Sequence, residues 1–144
     1  MVIGLGAHRT AGHTHYGQSR ENLGYMGRLC YSQNVTAVTG ACLMVARDKY
    51  NKVGGFDEAL PVAYNDVDFC LKLRQAGFVN VYTPYATLYH YESTTRGKDD
   101  NKRLNSDAEY MHKKWGEFLR DPYYNDNFSY IDESYSFKNS SSVL

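Results

Sequence analysis

Asp66 and Asp68 stand two residues apart at the start of the run Asn65-Asp66-Val67-Asp68-Phe69-Cys70-Leu71, which follows Gly54-Gly55-Phe56-Asp57-Glu58 and Tyr64. An Asn or Asp ahead of an apolar run with helical spacing marks a helix start, and acids in a first turn are favoured by the helix dipole. Asp66 is expected at the first helical position, its carboxylate facing the open end of the helix. There it is held ionised and can accept a proton from a substrate hydroxyl at a pocket rim. Residues two apart do not share a helical face, so the two acids are expected to do different work. Asp68, at the third helical position behind an Asn65 N-cap, is the better capping residue and Asp66 the better base. Acids in first turns also often do nothing but cap, and spacing alone leaves both readings open.

Other residue types are worth the same question. His13-Thr14-His15 sets two imidazoles at alternate positions, with His8 nearby. An extended chain would let His13 and His15 approach one metal ion. No cysteine or carboxylate completes a ligand set, so a loop without chemistry explains them as well. Trp115 lies at helical spacing with Met111 and Leu119, a core pattern rather than a sugar platform.

The elements that position these groups read as follows. Val2 to Leu5 is a very short strand, and 6–29 a long Gly-, His- and Asn-rich loop. Val35 to Ala46 is an apolar, β-branched run carrying one or two strands, with a bend or close backbone approach at Gly40. Arg47 to Val53 is a short helix stopped by Gly54-Gly55. Asn65 to Gln75 is the clearest helix and ends at Gly77. Val79 to Thr83 and Ala86 to His90 are strand-like around Pro84. Leu104 to Leu119 is a second long helix whose apolar side carries Leu104, Ala108, Met111, Trp115 and Leu119. The tail is polar apart from Tyr123, Tyr124, Phe128, Tyr130, Tyr135 and Phe137. It is expected to wrap the body as irregular chain held by those rings, with 139–144 disordered. The organisation is thus one partial domain over 1–144: a loop-rich segment 1–34, an α/β body 35–120 and an extended tail 121–144.

Bulk composition bounds the function. A chain of 144 residues fits one core. Lys plus Arg and Asp plus Glu number 16 each, and the absence of a basic surplus argues against a nucleic-acid partner. No stretch approaches the roughly eighteen apolar residues of a transmembrane segment, and the first residues do not form a signal peptide, so a cytoplasmic location is the expectation. Cys30, Cys42 and Cys70 form no metal or disulfide pattern and read as reduced, mostly buried thiols. There are 14 Tyr against 6 Phe, a balance that suits half-buried surfaces, including sugar and protein contacts.

From Gly4 onward the chain resembles family 2 glycosyltransferases of the GT-A fold, in particular bacterial O-antigen, polysaccharide and rhamnosyltransferase-like enzymes. The resemblance is carried by Thr39-Gly40-Ala41-Cys42-Leu43-Met44-Val45, Val53-Gly54-Gly55-Phe56-Asp57-Glu58 and Asn65 to Arg74. It continues through Gly77-Phe78, Tyr82-Thr83-Pro84-Tyr85-Ala86, Leu88-Tyr89-His90-Tyr91-Glu92-Ser93 and Asp121-Pro122-Tyr123-Tyr124-Asn125. It implies the C-terminal, acceptor-side part of a nucleotide-diphospho-sugar transferase, with a small mixed sheet, two main helices and an aromatic-rich tail. It implies Asp66 as catalytic base in an inverting transfer from a nucleotide-sugar donor to a cell-surface polysaccharide or lipid-linked glycan. Asn65 stands where Glu is commoner. Asn65, Asp68, Gly40, Ala41 and His13 are implied as acceptor or donor-sugar contacts, Arg96 and Lys98 as diphosphate contacts, and His90 as ligand of a divalent ion, Mn2+ or Mg2+. A local hydrogen bond at a strand end explains His90, and a solvated loop explains Arg96 and Lys98, without any ligand.

The same family holds its nucleotide on an N-terminal half ending in an Asp-any-Asp metal motif. Nothing upstream of Asp66 offers one, since the first 40 residues contain a single acid, Glu21. The chain alone is therefore expected to lack transferase activity, to expose sheet edges that favour a homodimer, and to sit at the inner membrane face only within the intact protein. Two further readings stand beside this one. A non-catalytic carbohydrate-binding or interaction module would use the aromatics. A hydrolase would need a second carboxylate such as Asp57, Glu58 or Glu92.

Overall fold

The structure, a computed structural model, describes residues 2–4, 10–61, 63–89, 100–130 and 135–138, with side chains outside 2–4 and 100–103. His8, His90, Glu92, Arg96 and Lys98 therefore lie outside the described residues, as does the segment 139–144 expected to be disordered.

The architecture is mixed α/β. Strands β1 (Val2–Gly4), β2 (Gly12–His13) and β4 (Ala37–Val38) form one sheet in the order β2-β1-β4, while β3 (Gln33–Val35) pairs with β5 (Asn80–Tyr82) in a second. Among the described residues every strand pairing is antiparallel, in place of the expected mixed sheet. Helices α1 (Arg47–Lys52), α2 (Asn65–Gln75) and α3 (Asp100–Trp115) follow, α3 running on into a 3-10 turn at Gly116–Leu119. The apolar run 35–46 is not one long strand. Its extended part ends at Val38, and Thr39 caps a 3-10 turn at Gly40–Cys42 by accepting from the Ala41 N–H. The second strand expected over 86–90 does not form across 86–89.

Both glycine stops act as the sequence implies. Gly54 and Gly55 follow α1 at φ 77° and 66°, a region open to glycine because it lacks a Cβ. Gly55 is the stricter of the two, since a Cβ there would lie 2.6 Å from the Tyr50 hydroxyl oxygen. Gly55→Ala is expected to cost about 2–3 kcal/mol, read as a shift of the urea midpoint, whereas Gly54→Ala, with open space around it, carries only the smaller backbone strain.

Helix α2 is the centre of the fold. Val67, Asp68, Phe69, Cys70, Leu71 and Leu73 are all buried, so the helix is enclosed on more than one face. Val67, Cys70 and Leu71 pack with Ala37 of β4, Leu60 and the α3 residues Met111 and Trp115, together with Leu119. Phe69 faces the other way, between Tyr50 and Phe56. Trp115 is in the core, as its spacing implies, but Leu104 is exposed because α3 turns that position to solvent. Asn80 of β5 donates from Nδ2 to the carbonyls of Thr36 and Cys70, locking the second sheet to α2 through buried hydrogen bonds. Burial pushes the Cys70 thiol up to about 11, in keeping with an inert core cysteine. Cys30 and Cys42 are exposed, against expectation: one follows a surface turn and the other closes the 3-10 turn.

The tail is held by its rings. Tyr124, Phe128 and Tyr135 form a second small core. Tyr25, from the N-terminal loop, stacks on Tyr135 with ring centroids 5.0 Å apart and meets Phe128 edge-on. Asp121 anchors the tail's start by accepting from the Thr36 hydroxyl and the Tyr123 N–H.

Candidate active site

The first turn of α2 lies against the 3-10 turn Gly40–Cys42. Tyr64 precedes it in the left-handed region at φ 60°, an unusual state for a bulky residue, and takes the N-cap position without a side-chain cap. Asn65 is therefore the first helical residue rather than the cap, and its Oδ1 accepts from the Asp66 N–H at 2.7 Å. Asp66 is the second helical residue. Its Oδ1 accepts from the Val67 N–H at 2.8 Å and its Oδ2 from the Gly40 N–H at 2.7 Å. The carboxylate thus points off the end of the helix, half-buried, with one N–H donor on each oxygen. Each oxygen keeps further acceptor capacity, so a substrate hydroxyl can donate to it and then lose its proton to it.

Gly40 matters because of this contact. A Cβ at Gly40 would stand 3.2 Å from the Asp66 Cβ and 3.5 Å from Oδ2, so the close backbone approach suggested by the sequence is an approach to Asp66 itself. Ala41 is exposed beside it. The structure thereby brings Gly40, Ala41, Asn65 and Asp66 together. It does not bring Asp68 or His13 to them through any described contact.

Asp68 is the principal correction at this site. It neither caps the helix nor faces a ligand, being 0% exposed. Its Oδ1 accepts from the Trp115 indole N–H at 2.9 Å and from Lys114 Nζ at 2.7 Å. Its Oδ2 stands 3.3 Å from Lys72 Nζ, an ion pair without hydrogen-bond alignment. As the fourth helical residue, Asp68 is turned inward, and the core side of the first turn is where α3 passes. His13 sits in β2, paired with Ile3. His15 accepts the Tyr25 N–H on Nε2 at 3.3 Å, and burial, then the charge of Arg28, lowers its pKa. The His15 imidazole thus ties the N-terminal loop together, and among the described residues no three His, Cys, Asp or Glu side chains converge as a metal set.

Sequence reasoning named Asp57 only as a possible second carboxylate and missed Tyr110 and Lys114 altogether. Asp57 Oδ2 accepts from Lys114 Nζ at 2.6 Å and from the Tyr110 hydroxyl at 2.9 Å. Lys114 so bridges Asp57 and Asp68. The Lys114 hydrogen bond, aided by the Ala59 N–H, lowers the Asp57 pKa to about 2. Burial pulls the Lys114 pKa down, but its hydrogen bonds to both acids outweigh that and leave it raised. A depressed carboxylate stabilises the fold above its unfolded value of 3.8 and stops doing so as pH falls toward 2. The lysine's contribution holds below its ordinary 10.5 and fades above it. Stability is therefore expected to drop from pH 4 to pH 2 more steeply in the parent than in Lys114→Met, measured as urea midpoints against pH.

A cleft of about 610 Å³ lined by Arg74, Phe118, Arg120 and Tyr124 lies at the opposite end of α2. Arg74 is eight residues from Asp66, roughly 12 Å along the helix, so this cleft is not part of the candidate site.

Similarity to known proteins bears on this arrangement. No family model matches the chain, and no solved structure matches it. The uncharacterized protein y4gI of Sinorhizobium fredii is 44% identical over 135 residues, which is 90% of this chain and 15% of that protein. The N-acetylglucosaminyl-diphospho-decaprenol L-rhamnosyltransferase of Mycobacterium tuberculosis is 37% identical over 67 residues, 46% of this chain and 22% of the enzyme. The O-antigen biosynthesis protein RfbC of Myxococcus xanthus is 33% identical over 100 residues, 69% of this chain and 8% of that protein. The chain thus spans less than a quarter of the length of each of these relatives. The partial likeness supports a glycosyltransferase-like relationship. Among the described residues no helix is long and apolar enough to cross a membrane.

Proposed function

We propose that this chain is the acceptor-side portion of an inverting glycosyltransferase of the GT-A type, acting in cell-surface polysaccharide or lipid-linked glycan assembly. The observation that carries this reading is the Asp66 carboxylate, half-buried at the start of α2 and held by the N–H groups of Gly40 and Val67. Asp66 accepts the proton of an acceptor hydroxyl while that oxygen attacks the anomeric carbon of the donor sugar. The new glycosidic C–O bond forms as the bond to the diphosphate breaks. The nucleoside diphosphate leaves from the opposite face, and the anomeric configuration inverts. Gly40, Ala41 and Asn65 border the sugar there. Likeness to a rhamnosyltransferase and an O-antigen biosynthesis protein favours a nucleotide-linked rhamnose or a related hexose as donor.

A divalent ion, Mn2+ or Mg2+, would supply charge stabilisation to the leaving diphosphate, with His90 as a ligand and Arg96 and Lys98 as diphosphate contacts. These three residues enter the proposal from the resemblance alone. Electrostatic grip on the donor is a large part of such a transfer. The Asp66 end of the chain supplies only the base, and the isolated 144-residue chain is accordingly expected to be inactive.

Calorimetric titration of the purified chain with nucleoside diphosphates and Mn2+ tests the division of labour. A folded chain that gives no heat, and that turns over no donor, fits a base awaiting its donor-binding half. Metal-dependent nucleotide binding that disappears in His90→Ala would instead make the chain a complete donor site. Binding of free glycan without metal or nucleotide, unaffected by Asp66→Asn, would favour a carbohydrate-binding module.

A further inference from the structure

Helix α3 presents a set of donors that the base chemistry does not use directly. Lys114 and Trp115, adjacent in sequence, both donate to Oδ1 of Asp68, at 2.7 and 2.9 Å. Lys114 and Tyr110, one turn apart, both donate to Oδ2 of Asp57, at 2.6 and 2.9 Å. Three side chains of one helix therefore grip two acids from two other segments: the loop after Gly54-Gly55 and the first turn of α2. Lys72 adds a second tie between those segments, donating to the Gly55 carbonyl at 2.5 Å while standing 3.3 Å from Asp68 Oδ2.

Stability alone does not require such an arrangement. A buried ion pair often contributes no more than well-packed apolar side chains of the same volume, because desolvation offsets the Coulomb attraction. Charged hydrogen bonds do supply direction: they fix a carboxylate in angle as well as distance. Asp68 is two residues beyond Asp66 on the same turn, and the bond from the Gly40 N–H to Asp66 Oδ2 depends on that turn's orientation against β4 and the 3-10 turn.

We propose that Lys114 is a positioning residue for Asp66, clamping Asp68 against Asp57 so that the first turn of α2 aims the Asp66 carboxylate at the Gly40 turn. The inference rests on the reading of Asp66 as the base, but it concerns a geometry that can be measured without any sugar. Lys114 makes no described contact with Asp66 and acts through Asp68. The loop 54–60 is the second body in the clamp, so a displacement of that loop is transmitted to the base through the Lys114 ammonium.

The experiment is native-state amide hydrogen exchange of Gly40, together with the carboxyl 13C shift of Asp66, in the full 144-residue chain. Lys114→Met is compared with Lys114→Arg and with Met111→Ala, which weakens the α3 core without touching the clamp. Lys114→Met is expected to speed Gly40 exchange by about five- to tenfold, the worth of one net hydrogen bond, and to move the Asp66 carboxyl signal. Lys114→Arg should restore both, and Met111→Ala should leave the Asp66 signal in place. Unchanged Gly40 protection in Lys114→Met overturns the proposal, and so does an equal response in Met111→Ala, which would mean general loosening. The base reading fails separately, through an Asp66→Asn protein that still transfers sugar, and that result would leave the exchange data standing.

Discussion

Asp68→Ala is expected to destabilise the fold by about 3–5 kcal/mol, the loss typical of breaking a buried, hydrogen-bonded ion pair by removing one member. The carboxylate is wholly excluded from solvent, accepts from the Trp115 indole and Lys114 on one oxygen, and forms an ion pair with Lys72 through the other. Without it the indole N–H, in a core residue only 8% exposed, loses the one acceptor it has among the described residues, at a cost of about 1–3 kcal/mol by itself. The lysines have escapes. Lys114, with 28% of its side chain exposed, keeps Asp57, and Lys72 keeps the Gly55 carbonyl. The indole and the vacated volume therefore set most of the loss. Asp68→Asn separates the contributions, since its carbonyl oxygen can still accept the indole N–H while the charge is gone, and it is expected to fall between parent and alanine. Urea unfolding of the three proteins measures this. An alanine variant within about 1 kcal/mol of the parent, the range of an ordinary surface change, would show that Asp68 does not hold α2 to α3.

That role was not legible in the sequence, for a physical reason. The bounds of α2 follow from local signals: a polar start at Asn65, periodic apolar residues and Gly77 beyond the end. The end of α1 follows from Gly54-Gly55, whose left-handed backbone only glycine adopts freely. Trp115 falls in the core because its spacing with Met111 and Leu119 is itself local information. Asp68 differs in that its partners Lys114 and Trp115 lie 46 and 47 residues downstream, and no periodicity encodes a pairing at that distance. An acid in a first turn ordinarily suggests a cap, and here a tertiary ion pair overrides that preference. The Tyr64 cap was hidden likewise, since nothing in an aromatic residue announces a left-handed backbone. In the run 35–46, β-branched residues suggested longer strands than form. Gly40 marked the bend, but the reason for the glycine lies in Asp66, 26 residues on. The candidate base was therefore visible from its position in the motif, while the contacts that orient it were not.

Asp66→Asn is the largest functional effect expected. In a protein that joins this segment to a donor-binding half, as proposed, kcat for transfer from a nucleoside-diphosphate sugar should fall by about 10²- to 10⁴-fold, the usual range for loss of a positioned general base. KM should change little, because the amide keeps the size and most of the polar contacts of the acid, and the lost interaction belongs to the transition state. The fold should survive. Asp66 is only half-buried and belongs to no ion pair among the described residues, so the substitution removes at most one acceptor from the N–H groups of Gly40 and Val67. That cost is about 1 kcal/mol. Asp68→Asn gives the converse pattern, with stability lost and kcat changed only as far as the first turn of α2 moves. On the proposed reading, the two carboxylates, two residues apart on one turn, are expected to separate by experiment into one needed for transfer and one that holds the helix. An Asp66→Asn protein that transfers sugar at the parental rate would remove the base from this position and, with it, the case for catalysis at the start of α2.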